Sequence, residues 1–162
     1  MPHPAFIEGL QFARDGHTAK GRLGLESLER LAGQGCTAAG LDYSVSGGVD
    51  GDGAAFLLLR VSGDLELVCQ RCLGKLVFPL DVDSRVELAK DWDEMLNAED
   101  DVERVLAEKD MSVVALVEDE VILALPMVPR HERCDKEQTE KKAVRTSPFD
   151  VLAGLKSRPS GR

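Results

Sequence analysis

Two short motifs in this sequence carry side chains that could bind a metal ion. Cys69-Gln70-Arg71-Cys72 follows a predicted strand, and His131-Glu132-Arg133-Cys134 follows a predicted helix that ends in prolines. Two thiolates separated by two residues can face one tetrahedral ion, and a second pair of soft or borderline donors completes a Cys3His zinc site. We therefore predict a structural zinc ion that joins the two motifs through Cys69, Cys72, His131 and Cys134.

Two other interpretations of the cysteines stay open. A redox motif needs a strand–CxxC–helix context, but the residues after Cys72 begin a long strand, which disfavours that chemistry. The remaining alternative is a set of reduced cysteines beside a surface histidine. Cys36 has no partner motif and is interpreted as a small core residue.

Four basic residues flank the two motifs: Arg71, Lys75, Arg130 and Arg133. If the motifs meet, these side chains form one patch that could contact RNA phosphates. The alternative is that they are ordinary solubilising charges or partners of nearby acids.

The overall charge argues against a general nucleic-acid binder. The chain carries a net charge of −9 with a pI of about 4.8, whereas such proteins are usually basic. Residues 91–110 hold nine acids and two bases, a net charge of −7, so the rest of the chain carries only −2. This acidic segment could dock a basic protein, because opposite charge steers such a partner.

No catalytic arrangement is recognisable in the sequence. It lacks a GxSxG elbow, a phosphate loop and HExxH, so we predict neither an enzyme nor a small-molecule substrate. The longest apolar stretch, Ala54–Leu59, is far too short to span a membrane, and no export signal is recognisable. A cytoplasmic location is therefore expected, where four cysteines favour free thiols or a metal over disulfides.

The hydrophobic pattern predicts an α+β fold: a bent antiparallel sheet of about four to six strands, flanked by two helices and closing toward a barrel. Successive strands are expected over 41–49, 54–63 and 64–68, with a hairpin turn at Ser62-Gly63-Asp64. Strict alternation over 75–89 indicates one long strand, with an edge or a bulge at Pro79.

The predicted helices lie around Leu23–Ala32 and Val113–Ala124. Asp110 or Ser112 would cap the second helix, and Pro126 and Pro129 would stop it. A helical turn over 102–106 is a further expectation. We predict a single domain over 1–134 with an acidic surface excursion at 91–110. A mostly flexible tail over 135–162 follows, which could include a short docking helix at 148–156.

Three segments together resemble one protein family. VCQRCLGKLVFPLDV, VEDEVILALPMVPRHERC and SPFDVLAGLK occur in that order between Val68 and Lys156. They resemble the YceD family, the large ribosomal RNA subunit accumulation proteins, and GRLGLESLERLA is similar to the N-terminal helix of that family. The family signature falls on Cys69, Arg71, Cys72, Leu73, Glu120, Leu123, Leu125, Pro126, Pro129, His131 and Cys134.

The resemblance implies a bacterial cytosolic factor that supports synthesis, processing or stability of 23S rRNA and accumulation of the large subunit. Its partner would be large-subunit rRNA or a basic large-subunit ribosomal protein. Two alternatives remain: a direct RNA-binding module with a zinc-stapled basic patch, and an rRNA-processing enzyme. The acidic segment departs most from the family pattern, which argues against extensive RNA contact, and the resemblance does not itself imply a metal.

Overall fold

The computed structural model describes residues 6–96 and 102–134. The chain divides into two compact units, Met1–His131 and Glu132–Arg162, and every element below belongs to the first. The predicted tail at 135–162 and its docking helix at 148–156 lie outside the described residues.

The described residues form an α+β fold built on one mixed sheet. Its strands are β2 (Thr18–Gly24), β3 (Cys36–Val49), β4 (Ala55–Val68), β5 (Lys75–Ala89) and β6 (Arg104–Leu106), in that order across the sheet. The first four strands are antiparallel, whereas β6 runs parallel to β5, so the expectation of a purely antiparallel sheet is corrected. Within the described ranges β2 and β6 are the two edge strands of this sheet. They do not pair with each other, so no closed barrel forms.

A second, two-stranded sheet lies outside this one. It pairs β1 (Phe6–Ile7) with β7 (Met111–Ser112) and so joins two segments that are distant in sequence. The helices are α1 (Gly9–Arg14), α2 (Glu29–Gly33), α3 (Trp92–Leu96) and α4 (Val113–Ala124), and a 3-10 turn at Leu25–Ser27 precedes α2. The longest of these described helices has 12 residues, and none is long and apolar enough to cross a membrane.

The long strand predicted over 75–89 is confirmed as β5. Its even-numbered residues face the core, where Leu80, Val86 and Leu88 are buried. Its odd-numbered residues are exposed or half-buried as far as Glu87, and only Ala89 at the end of the strand is also buried. Pro79 pairs only with β4, because β6 reaches no further along β5 than Glu87. This part of β5 is therefore an edge among the described strands, as the missing amide of a proline predicts.

The hairpin turn predicted at Ser62-Gly63-Asp64 is wrong. Strand β4 runs without interruption from Ala55 to Val68 and passes through all three residues. Gly63 has a φ of 150°, and a Cβ atom there would overlap the carbonyl oxygen of Gly40 on β3. The glycine therefore marks a close approach of two strands inside the sheet, not a reversal of the chain.

Of the three helix predictions, one is confirmed, one is right only in part and one is wrong. Helix α4 spans the predicted residues, and the Ser112 hydroxyl accepts a hydrogen bond from the Ala115 amide at 3.2 Å. The predicted first helix is reduced to the 3-10 turn and α2, because residues up to Gly24 pair in β2. The helical turn predicted over 102–106 is wrong, since strand β6 occupies Arg104–Leu106.

The inner face of the sheet is covered by α1 and α4. The side chains of Leu41, Val45, Leu57, Leu59, Val113, Val117 and Val121 are all fully buried there. Gly47 allows α1 to lie against β3, because a Cβ atom at this position would collide with the backbone of Phe12 and Ala13. Cys36 is buried in the same core, as predicted.

A buried carboxylate fastens α2 to α4. Glu118 of α4 accepts hydrogen bonds from the backbone amides of Arg30 at 2.8 Å and Leu31 at 3.1 Å. The Arg30 guanidinium adds an ion pair to the same carboxylate at 2.8 Å. Helix α4 is thereby held from its middle, and the chain leaves it in a defined direction toward His131.

Candidate metal centre

The first predicted motif forms a tight loop between β4 and β5, Cys69–Gly74, which we call the cysteine loop. The Leu73 amide donates a hydrogen bond to the Cys69 carbonyl at 2.8 Å, and the Cys69 amide donates one to the Gly74 carbonyl at 2.9 Å. Leu73 adopts the left-handed conformation with a φ of 60°, which a non-glycine residue seldom does. The loop therefore reverses the chain within six residues and turns both cysteines toward one side.

The second motif follows α4 through a proline-rich stretch, Leu125–His131, which we call the exit segment. Pro126 and Pro129 prevent the helix from continuing, because each lacks an amide hydrogen. The Gln70 amide donates a hydrogen bond to the Pro129 carbonyl at 2.8 Å. This bond places the exit segment directly alongside the cysteine loop, as the predicted meeting of the two motifs requires.

Three of the predicted ligands converge where the loop and the exit segment meet. The ligand atoms of Cys69, Cys72 and His131 lie within 4.8 Å of one another. The Cys72 Sγ is 3.4 Å from the Nδ1 of His131, and the His131 amide donates a hydrogen bond to the Cys69 Sγ at 3.5 Å. These sulfur and nitrogen atoms are close enough together for a single ion to bind all three in place of their contacts with one another.

The histidine ring is oriented by a backbone group. The Nε2 of His131 lies 2.9 Å from the carbonyl oxygen of Lys75, which can only accept a hydrogen bond. The proton of the neutral ring must therefore sit on Nε2, and the Nδ1 lone pair faces the sulfur atoms. Metal-bound histidines usually donate their second ring nitrogen in this way, which fixes the tautomer that can coordinate.

The electrostatics at Cys69 favour the thiolate, the form that binds metals. Burial raises the pKa of Cys69, whose side chain is fully enclosed, because the charged form loses water. Hydrogen bonds from the amides of Cys72, His131 and Arg71, with one from the Cys72 side chain, outweigh burial and bring that pKa to about 5. The residues present thus fit a soft, divalent ion such as zinc.

Cys134, the fourth predicted ligand, is half-buried and lies in the second unit, three residues after His131. Within the first unit, Cys69, Cys72 and His131 supply three of the four donors expected of the metal site. The cofactor expected from the sequence therefore has a suitable set of donors.

The four predicted RNA-binding residues do not share one environment. Arg71 is an exposed residue of the cysteine loop, and Arg130 is an exposed residue of the exit segment. Lys75 forms an ion pair with Glu66, the alternative that the sequence left open for these bases. Arg133 is exposed and belongs to the second unit. The structure thus brings Arg71 and Arg130 onto adjoining segments.

Two contributors to the centre were not predicted from the sequence. The Lys75 carbonyl, which orients His131, is a backbone atom that no side-chain pattern reveals. The left-handed Leu73 was equally unmarked, since glycine or asparagine would be the usual signal for that conformation. The buried Glu118 lay in a run of acids at residues 118–120 and gave no sign of burial.

Comparison with known proteins supports the resemblance seen in the sequence. Residues 57–156 match the family model of the large ribosomal RNA subunit accumulation protein YceD. The chain is also 32% identical over 111 residues to a Haemophilus influenzae protein of that name, with 61% of this chain and 64% of the relative covered. The chain thus spans less than two thirds of that relative, and no solved structure gave a significant match. The chain belongs to the YceD family of large ribosomal RNA subunit accumulation proteins.

Proposed function

We propose that this chain is a non-catalytic cytosolic factor that supports accumulation of 23S rRNA and the large ribosomal subunit, and that its Cys/His group holds a structural zinc ion. The role in rRNA accumulation rests on the family and on the name of the Haemophilus relative. The metal rests on one observation: the cysteine loop and the exit segment meet with the Nδ1 of His131 facing two sulfur atoms.

Cys69, Cys72, His131 and Cys134 would hold the ion, and a bound zinc would act as a cross-link without taking part in a reaction. The two halves of the group come from segments that are distant in sequence, the β4–β5 connection and the residues after α4. A cross-link of this kind stabilises the native state, because the unfolded chain cannot present all donors together. It would also hold Arg71 and Arg130 in a fixed relation.

The first experiment measures zinc by elemental analysis in protein purified without chelator, together with the Cys69→Ser, Cys72→Ser double variant. We expect about one zinc per chain, lost in the variant along with thermal stability. Cys36→Ala is the matched control, because it removes a buried thiol outside the group and should keep the metal. Wild-type protein without zinc would refute the metal assignment and leave the rRNA role to be tested in cells.

The cellular role is tested separately, by depleting the chain and measuring mature 23S rRNA and the ratio of large to small subunits. We expect both to fall and to recover with the wild-type chain. If both are unaffected by depletion, the proposed role in rRNA accumulation is wrong, whatever the metal content.

A second candidate function is direct RNA binding, favoured by the position of Arg71 and Arg130 on segments joined through Gln70 and Pro129. Reversing both charges, as Arg71→Glu with Arg130→Glu, should weaken binding to 23S rRNA fragments and reduce its salt dependence. Arg14→Glu with Lys20→Glu is the matched control, since it changes the net charge equally at exposed residues elsewhere. An equal loss of RNA binding in both variants would indicate that binding depends only on the total charge of the protein and not on Arg71 and Arg130.

If RNA binding is absent, docking of a basic large-subunit ribosomal protein on the acidic segment is the remaining candidate. Binding should then weaken as salt is raised. Turnover of rRNA by purified protein would instead support an rRNA-processing enzyme, a function for which the described residues offer no acid–base arrangement.

A further inference from the structure

An apolar groove lies beside the metal centre without belonging to it. It has a volume of about 390 Å³ and runs between the end of β4, the cysteine loop and the exit segment. Its walls include Leu67, Gln70, Ile122, Leu125, Met127 and Val128, and no lining residue is charged. The Met127 side chain is 100% exposed and Leu123 nearby is 73% exposed. A soluble domain seldom exposes such residues together unless something covers them.

The rim of this groove is basic. Arg71 follows Gln70 directly, and Arg130 follows Pro129, so an exposed arginine adjoins the groove on each of the two segments that form it. An occupant that complements this surface must combine large apolar side chains with negative charge. Nucleic acid offers the charge but no aliphatic or indole side chains for a groove with these walls.

The same chain carries a surface of that description on α3. Trp92 is 64% exposed and Leu96 is 78% exposed, and their spacing of four residues places them on one face of the helix. Asp91, Asp93 and Glu94 surround them with negative charge. An indole ring is of a size that a groove of about 390 Å³ admits, and tryptophan is the residue most enriched where proteins anchor each other.

A chain cannot fill its own groove with its own α3. The groove adjoins the Lys75 end of β5, whereas α3 follows the Ala89 end of the same strand. The 15 residues of β5 separate the two surfaces by roughly 45 Å at the usual rise per residue. The two surfaces can meet only between molecules.

We propose that this groove binds α3 of a second copy of the chain, with Trp92 and Leu96 seated on the apolar walls and the acids of α3 facing Arg71 and Arg130. The contact is head-to-tail, since each copy offers two different surfaces, so it leads to a ring or to an open row of copies. It does not depend on the proposed metal or on the proposed role in rRNA accumulation.

Trp92 provides a direct readout, because the chain has 1 tryptophan and its emission reports on this residue alone. As purified wild-type protein is concentrated, we expect the emission to shift to the blue and the mass in sedimentation to exceed that of one chain. Both changes should diminish as salt is raised, because the rim contacts are ionic.

Two single variants separate the surfaces. Trp92→Ala removes the anchoring indole, and Met127→Asp places a charge on the apolar wall of the groove. Each variant should weaken self-association at least about tenfold, the usual effect of losing an anchoring side chain. Both residues are exposed, so the fold should persist, and a thermal melt checks it. Val49→Asp, which charges an exposed apolar residue at the end of β3, is the matched control and should associate like wild type.

Mixing the two variants gives the decisive result. One has an intact groove and the other an intact α3, so together they should form a heterodimer and nothing larger. If either variant is unstable, Leu96→Asp and Val128→Asp replace them at the same surfaces. A wild-type chain that stays monomeric at high concentration, or variants that fail to complement, would overturn the proposal, even if another protein were found in the groove.

Discussion

Replacing Glu118 by alanine tests the buried connection between α2 and α4. Its carboxylate accepts hydrogen bonds from the Arg30 and Leu31 amides and from the Arg30 guanidinium. Removing one partner of a buried ion pair typically costs about 3–5 kcal/mol, and hydrogen bonds to a charged group contribute about 1.5–3 kcal/mol each. Water can reach the half-exposed Arg30 after the change, so we expect a loss of about 2–4 kcal/mol in the free energy of unfolding.

Urea denaturation measures this loss. For a domain of this size the free energy of unfolding falls by about 2 kcal/mol per molar urea, so the midpoint should move down by about 1–2 M. Asp119→Ala is the control, because Asp119 also pairs with Arg30 but is half-exposed. The midpoint should move little in that variant, since water and salt screen an exposed pair.

The pH dependence supplies a second signature of the same interaction. Burial alone would raise the pKa of Glu118, but hydrogen bonds from Arg30 and Leu31 outweigh it and hold that pKa below its ordinary value. A lowered pKa in the folded state stabilises the protein above the ordinary glutamate pKa, and the contribution disappears as pH falls through the lowered value. The difference in stability between wild type and Glu118→Ala should therefore shrink below about pH 4.

Two results would refute this account of Glu118. One is a midpoint shift for Glu118→Ala no larger than that for Asp119→Ala. The other is a stability difference that stays constant well below the ordinary glutamate pKa, because the lost energy would then come from packing and not from the charge.

Two further variants test backbone positions. Gly63→Ala should lower the free energy of unfolding by about 2–4 kcal/mol, because the new Cβ atom overlaps the Gly40 carbonyl and φ is 150°. The same urea assay measures this loss. A variant as stable as wild type would contradict the close approach of β3 and β4. Leu73→Gly should leave stability unchanged or raise it by up to about 1 kcal/mol, because glycine relieves the left-handed strain at an exposed position while adding chain entropy. A clear loss would show that the Leu73 side chain contributes contacts.

The sequence predicted the parts of the fold whose signals are local and strong. Alternation over 75–89 indicated one strand with a buried face, and the structure confirms β5 with the same bounds. Ser112, the apolar stripe and the prolines bounded α4 correctly. In each case residues close in sequence carry the information, so tertiary contacts have little to add.

The failures arose where distant partners decide the conformation. Gly63 has the sequence environment of a turn, but it pairs with Leu41 on β3 and Leu80 on β5, which makes it part of a continuous strand. Residues 104–106 lie within the acidic, weakly patterned segment 91–110, yet β5 offers them a free edge and they become a strand. Of the candidate centre, spacing predicted the ligand residues, whereas the carbonyl that orients His131 could be recognised only in the folded chain.

The pairing of β1 with β7 and the position of α4 have a consequence for synthesis of the chain. Strands β3, β4 and β5 follow one another along the chain and leave the ribosome before α4, but their inner face is covered in part by Val113, Val117 and Val121 of that helix. Until α4 emerges, the nascent sheet exposes a row of leucines and valines to other nascent chains and to chaperones. We therefore expect residues 111–131 to fold last. Their folding completes the pairing of β1 with β7, covers the sheet and places His131 against the cysteine loop.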